Sequence, residues 1–364
     1  MKYRLATILD RQEHDADITK VIDLNLADPV SQFQIIHESY NSVSGVPTAH
    51  PAKCIPKIEL VDGSDVLFSL SGQETQAADW YHQKQEPVNH IIYLPTMYSE
   101  QVFNINFGRH LWDPLYAFDP KKFTNPQLKI TIDVNGGGST VTTGYLTVLA
   151  NIFDEKAVTP EGFFMHKEIK DYVPGASAHE YTDLPTDYPY RKLFIKALKA
   201  GTGPEYLINT IKLSEENDRR VPLNHTISQV LKTMVGQSRA YQEWILVEGS
   251  QTAKVGYCTP AYWPTFQATM WELTASAWGV AVREGDGGRF TVDMDTGQGN
   301  TQLLATGWCP HGVIEIPFGL QDDPADWYDV SKLGSLSLDI LAQAGFTTGD
   351  SCAIFLQQLR KYAA

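Results

Sequence analysis

The sequence predicts an all-β chain built from two similar β-sandwiches in tandem. Three observations predict it. Short segments alternate apolar and polar residues, turn residues separate them, and the segments recur in the same order in the two halves of the chain.

The alternation is that of half-buried strands, whose successive side chains point to opposite faces. Lys129-Ile130-Thr131-Ile132-Asp133-Val134 shows it, as do Leu336-Ser337-Leu338-Asp339-Ile340, Asn104-Ile105-Asn106-Phe107 and Val313-Ile314-Glu315-Ile316. Asn135-Gly136-Gly137-Gly138, Gly285 to Gly288 and Gly345 to Gly349 punctuate them as turns. Helical spacing is confined to two short stretches, Gln73 to His82 and His225 to Met234, each following a strand. No alternation of strands with long helices is present, which excludes a doubly wound nucleotide-binding fold.

The repeat carries three ordered landmarks. Asp23-Leu24, Pro29 and Ile35 match Asp183-Leu184, Pro189 and Ile195 at an offset of 160 residues. Ile58 and Leu60 match Ile211 and Leu213 at 153, continuing through Phe68, Leu70 and Gln76 against Val221, Leu223 and Gln229. Ile105, Phe107 and Gly108 match Ile316, Phe318 and Gly319 at 211. Asp113-Pro114 and Asp323-Pro324 follow, then Leu128, Ile130 and Ile132 against Leu336, Leu338 and Ile340 at 208, and Leu146 and Val148 against Ile354 and Leu356. The offset rises from 153 to 211, so the second copy holds 58 extra residues between Leu223 and Ile314. That stretch holds Tyr241, Trp244, Tyr257, Tyr262, Trp263, Trp271 and Trp278. A large ordered loop on a sandwich typically carries contacts. The chain therefore divides into an N-terminal arm over 1–17, a first sandwich over 18–157, a linker over 158–177, and a second sandwich over 178–364 with an insertion near 237–310.

This pattern resembles the double jelly-roll major capsid proteins of tailless icosahedral viruses, the adenovirus-like and tectivirus-like lineage with its bacteriophages. The residues behind the resemblance are the strand starts at Asp23 and Asp183, and Lys57-Ile58-Glu59-Leu60-Val61-Asp62-Gly63-Ser64 with its Leu70-Ser71-Gly72 ending. The C-terminal run from Phe318-Gly319 through Asp326-Trp327 to Leu356-Gln357-Gln358-Leu359-Arg360 belongs with them. The resemblance implies two jelly rolls, a homotrimer with six similar lobes, and a shell tiled by such pseudo-hexagons in the virion. It further implies minor capsid and vertex proteins as partners, a tower built from the insertion, and an arm that contacts neighbours or an internal membrane. Synthesis in the host cytoplasm follows from the same reading.

Composition bears on partners. The net charge is −14, and the basic pairs Lys121-Lys122, Arg191-Lys192 and Arg219-Arg220 stand apart. Phosphate binding is driven by clustered Lys and Arg, so direct contact with nucleic acid is not expected. Residues 1–17 show no apolar signal core, and no apolar run is long enough to span a membrane.

The search for chemistry assigns no catalytic, cofactor-binding or metal residue. Cys54, Cys258, Cys309 and Cys352 form no C-x-x-C pair and are expected as separate thiols. Glu13-His14-Asp15-Ala16-Asp17 is read as a solvated segment, and Cys309-Pro310-His311 lacks the further ligands of a zinc site. Asp293-Met294-Asp295-Thr296-Gly297 opens like a calcium loop but carries Gln298 and Leu304 where Gly and Glu are needed. Asn224-His225-Thr226 fits a glycosylation sequon. His37-Glu38 and His179-Glu180 are adjacent on strands, so each pair faces opposite ways. Two other readings remain open: a carbohydrate-binding or adhesion protein that stacks sugars on the insertion's tryptophans, and a two-jelly-roll glycan hydrolase or amidase.

Overall fold

A computed structural model describes residues 2–41, 47–138, 143–250, 252–273, 279–294, 298–346 and 350–362. The first half contains β1 (Tyr3–His14), β2 (Ile18–Asp23), β3 (Val30–Tyr40), β4 (Lys57–Asp62), β5 (Asp65–Leu70), helix α1 (Gly72–Gln83), β6 (Ile91–Tyr93), β7 (Tyr98–Asn106), β8 (Pro126–Ile132) and β9 (Gly144–Phe153). The second contains β10 (Gly162–Tyr172), β11 (His179–Asp183), β12 (Tyr190–Leu198), β13 (Ile208–Glu215), β14 (Arg220–Thr226) and helix α2 (Ile227–Gln237). Six strands then intervene: β15 (Tyr241–Ser250), β16 (Lys254–Tyr257), β17 (Pro260–Leu273), β18 (Val280–Arg283), β19 (Arg289–Met294) and β20 (Gln298–Pro310). β21 (Val313–Pro317), β22 (Leu336–Ala342) and β23 (Ser351–Lys361) complete the second half.

Strand order makes the duplication explicit. The first sandwich faces the sheet β1-β9-β3-β7 with the run β2-β8-β4-β5, and the second faces β10-β23-β12-β21 with β11-β22-β13-β14. These are the same two four-stranded orders, the Greek-key arrangement of a jelly roll, written twice. All three landmarks fall on equivalent strands: β2–β3 with β11–β12, β4–β5 with β13–β14, and β7, β8 and β9 with β21, β22 and β23. Both helices open on a reciprocal cap, Ser71 with Glu74 and Thr226 with Gln229, which satisfies otherwise orphaned amides. The β4–β5 hairpin turns at Gly63, whose φ of 60° favours glycine.

Two expectations are corrected. Of the arm expected over 1–17, residues 3–14 are instead part of the sheet: β1 pairs antiparallel with β9 from Tyr3 against Phe153 to His14 against Gly144. Ala6, Ile8 and Leu9 pack on the core, so detaching the strand would expose apolar surface. Residues 158–177 are not a free linker either, because they hold β10. This strand pairs antiparallel with β23, and in parallel with β5 through His166 against Phe68 and Lys167 against Ser69. That joint fuses one sheet of each sandwich into a single eight-stranded sheet. One apolar core consequently runs through both sandwiches, from Phe33 and Phe103 to Phe194 and Phe355.

The insertion is a folded unit. β17-β20-β15 continue onto β6 of the first half, and β16-β19-β18 form a second small sheet. Ile91, Tyr93, Ile245, Val247, Phe290, Val292 and Leu303 make its own core. The chain re-enters the jelly roll through a tight turn in which Gly312 takes φ 72°, and a Cβ there would sit 2.4 Å from the Ala197 carbonyl oxygen. Among the described residues, no helix is long and apolar enough to cross a membrane.

Candidate functional site

The seam between the sandwiches holds the densest buried polar chemistry. α1 leaves β5 and lies between its own β7 and the outer face of β12 and β21. Asp79 on its inner side accepts from Asn104 (2.9 Å) and Asn106 (2.6 Å). Burial pushes its carboxyl up to about 6, against the pull of those amides. On the other side the Tyr81 hydroxyl donates to the Val313 carbonyl oxygen (2.7 Å), and Glu74 meets Lys196 at 3.3 Å. Burial alone would raise the Glu74 carboxyl, but Lys196 and the Ser71 cap hold it below its ordinary value.

Lys192 and Glu315 form the centre. Their side chains are 2% and 7% exposed and 2.5 Å apart. Lys192 also donates to the Tyr81 carbonyl oxygen (2.9 Å), and Lys84 reaches Glu315 at 3.0 Å from a more exposed position. Desolvation pulls the Lys192 ammonium down to about 7 although Glu315 opposes it. For Glu315 desolvation pushes upward, but the two lysines keep the carboxyl below its usual range. The neighbouring Arg191 donates to His82 Nδ1 (2.8 Å), Gln357 Oε1 (3.0 Å) and the Gln321 carbonyl oxygen (3.0 Å), and lies over the Phe164 ring. Burial lowers it to about 10 and takes His166 to about 3, so His166 is neutral. Read in sequence as an isolated basic pair, Arg191-Lys192 is instead the buried keystone of the seam. The available signal was its position in a strand whose other residues, Lys196 apart, are apolar or aromatic.

Beside this cluster opens a cleft of about 780 Å³, lined by Tyr81, Lys84, Lys192, Met234, Thr233 and Glu315 among others. It opens between the end of α1 and α2, which touch where the Tyr81 hydroxyl meets Met234 Sδ at 3.3 Å.

The residues singled out in sequence scatter. His14 is buried rather than solvated: its ring stacks on His37 at 5.2 Å, with their Nε2 atoms 3.2 Å apart. Glu38 faces the other way and takes two hydrogen bonds from Arg11. His179 pairs with Asp339, and Glu180 with Lys170. His311 meets Gln76 Oε1 at 2.9 Å, and Cys309 is buried beside it. All four cysteines are free and buried, with Cys54 and Cys352 pushed up to about 12 by desolvation. Among the described residues no group of three His, Cys, Asp or Glu is placed to hold a metal ion. Asp293 pairs with Arg283, while Asp295, Thr296 and Gly297 lie outside the described residues, as does Trp278. Asn224 is exposed on β14, and Thr226 caps α2. Among the described side chains of the insertion, Trp244 and Trp263 are exposed tryptophans, at 54% and 63%.

No protein-family model matches the chain, and no curated protein matches it in sequence. Its fold is that of solved viral shell proteins. The STIV MCP superposes with a TM-score of 0.60 at 9% identity, covering 100% of this chain and 98% of that one. The major capsid protein P2 of bacteriophage PM2 gives 0.56 at 11%, covering 99% and 98%. A chain of the PBCV-1 virus capsid gives 0.55 at 10%, covering 98% and 93%.

Proposed function

We propose that this chain is the major capsid protein of a tailless icosahedral virus, a building block that associates as pseudo-hexagonal trimers and tiles a shell. One observation carries the reading: two jelly rolls of identical strand order, fused through β5 and β10, match capsid structures over nearly the whole of both chains. The seam supports it. A hydrolase needs a carboxyl with a raised pKa facing a second carboxylate across an open cleft. Two carboxyls, Glu315 and Asp322, line the cleft beside the seam, and Glu315 is held ionised by Lys84 and Lys192, the state of a structural clamp. We therefore assign the chain no enzymatic activity. Its partners are further copies of itself and, in a virion, minor capsid and vertex proteins. Contact with an internal membrane, if the virus has one, does not fall to residues 3–14, which are committed to the sheet. The exposed Trp244 and Trp263 favour one added role, glycan contact by the insertion on the outside of the shell.

The test is the mass of the purified protein by light scattering after size exclusion. Three times the chain mass, or shells, is the expected result. A monomer at every concentration sinks the proposal, and glycan-binding and hydrolase assays then become the next experiments.

A further inference from the structure

The cleft beside the seam holds a charge that the fold leaves unanswered. Arg191 is 3% exposed, and its Nε and Nη1 donate to Gln321, His82 and Gln357. Nη2 has no hydrogen-bond partner among the described residues, yet it is not sealed in the interior. Phe164 and Trp327 crowd the guanidinium at 4.9 and 5.6 Å, and the side chain lines the cleft. Among the described residues no carboxylate stands within ion-pair distance of it. The other cations of the lining are engaged: Lys192 and Lys84 share Glu315, and Arg109 is held by Asp113. Asp322 is exposed, where water weakens its reach. The cleft thus keeps a positive surplus in a chain of net charge −14. A buried cation without a counter-charge is costly, and an anion bound there removes the cost.

Much of the remaining lining is apolar. Val230 and Met234 stand four residues apart on one face of α2, Leu223 precedes them on β14, and Ile316 follows Glu315 on β21. α1 fills its side of the seam, with ten of its 12 residues buried, whereas α2 buries three of its 11 and leaves the space beside it open. A concave, largely apolar space of about 780 Å³ with a few placed polar groups has the size and character of a small-molecule site.

We propose that this cleft binds an alkyl monocarboxylate of the fatty-acid class, its carboxylate on Nη2 of Arg191 and its tail along Leu223, Val230 and Met234. The small surplus of charge calls for a monoanion, and a free guanidinium nitrogen for a carboxylate oxygen. The aliphatic lining calls for a hydrocarbon tail, whose burial supplies the rest of the affinity. The occupant ties α2 to the end of α1, adding to the contact between Tyr81 and Met234. The proposal goes beyond the capsid reading and does not depend on it.

The test titrates dodecanoate, dodecanol and dodecylammonium separately into the full-length protein, below the concentrations at which they aggregate. Calorimetry reads binding, and the rise in melting temperature reads it independently. Dodecanoate should bind about tenfold or more tighter than dodecanol, as one charge-assisted hydrogen bond provides, and dodecylammonium weakest of the three. Arg191→Met should bring dodecanoate down to the level of dodecanol. Val230→Trp, at a partly buried position on α2, should fill the cleft and abolish binding of both. Should Arg191→Met fail to fold, the three ligands on the unaltered protein and the Val230→Trp variant decide the matter. No binding of dodecanoate, equal binding of dodecanoate and dodecanol, or unchanged binding by the Val230→Trp variant overturns the proposal.

Discussion

At Lys192 an ammonium has been taken out of water and given Glu315 and a carbonyl oxygen in exchange. Such a pair is weak as a source of net stability but costly to break from one side. Lys192→Met leaves Glu315 with the half-exposed Lys84 alone, and should cost about 2–3 kcal/mol, somewhat under the usual loss for an orphaned buried charge. The double change Lys192→Met with Glu315→Leu should stay within about 1 kcal/mol of the parent, since Lys84 can turn to water. Urea unfolding followed by tryptophan fluorescence measures both, and a double variant as unstable as the single one would refute the clamp. The pH sign follows from burial. Lys192 titrates near 7 when folded and at its ordinary 10.5 when unfolded, so between these values the unfolded chain binds more protons. Its burial penalty is therefore complete below pH 7 and fades as pH rises toward 10.5. The Lys192→Met variant should lack that rise.

Among the elements, β1 and β10 show what sequence reading could and could not reach. The strands of the three landmarks were legible because one face of each is buried, so period two survives in the letters, as in Lys129 to Ile132. β1 breaks that period with register shifts between Thr7 and Leu9 and between Leu9 and Gln12, and it buries only small or few apolar residues. β10 is obscured differently: His166, Lys167 and Glu168 look solvated, but the first sandwich covers them and supplies Lys57 at 3.1 Å to Glu168. The seam itself was illegible, because Arg191 and Lys192 acquire meaning only from Glu315 and Tyr81, over a hundred residues away. His14 likewise needed His37. Desolvation takes His37 down to about 3, with His14 adding to the effect, and burial lowers His14 against the pull of Asp15 and Glu13. Both rings are thus neutral near pH 7. For a base with a depressed folded pKa, stability is complete above the ordinary 6.5 and is lost as pH falls toward 3. Acidification should therefore loosen β1 before the rest of its sheet. Hydrogen exchange, expressed as protection factors, should fall for the Thr7–His14 amides between pH 6.5 and 4.5 while β3 holds. Equal protection of the two strands across that range would mean that the histidine pair does not anchor β1.

For the whole molecule, the question is which parts make the building block and which decorate it. The insertion returns to its origin: Tyr241 pairs with Gly307 on adjacent strands, and its own core lies apart from that of the jelly rolls. Its base is shared, however. Tyr241 packs on Trp80 at 5.9 Å, and Glu243 with Thr259 satisfies the buried His50. Replacing residues 242–306 by an Asn-Gly turn spans that hairpin and removes the unit while keeping Tyr241. The shortened chain should fold, with a loss of about 3–5 kcal/mol, because His50 loses Glu243 and Thr259 and because Ile91 and Tyr93 of β6 lose the core that covers them. Its association should match that of the full chain, since both sandwiches are retained. Thermal unfolding and light scattering on the same preparation separate the outcomes. A folded but monomeric product would move the contact between copies into the insertion. Failure to fold would make the insertion part of the second sandwich rather than an attachment to it. Retained association would assign assembly to the duplicated sandwiches and leave the insertion, with Trp244 and Trp263, free to face whatever lies outside the shell.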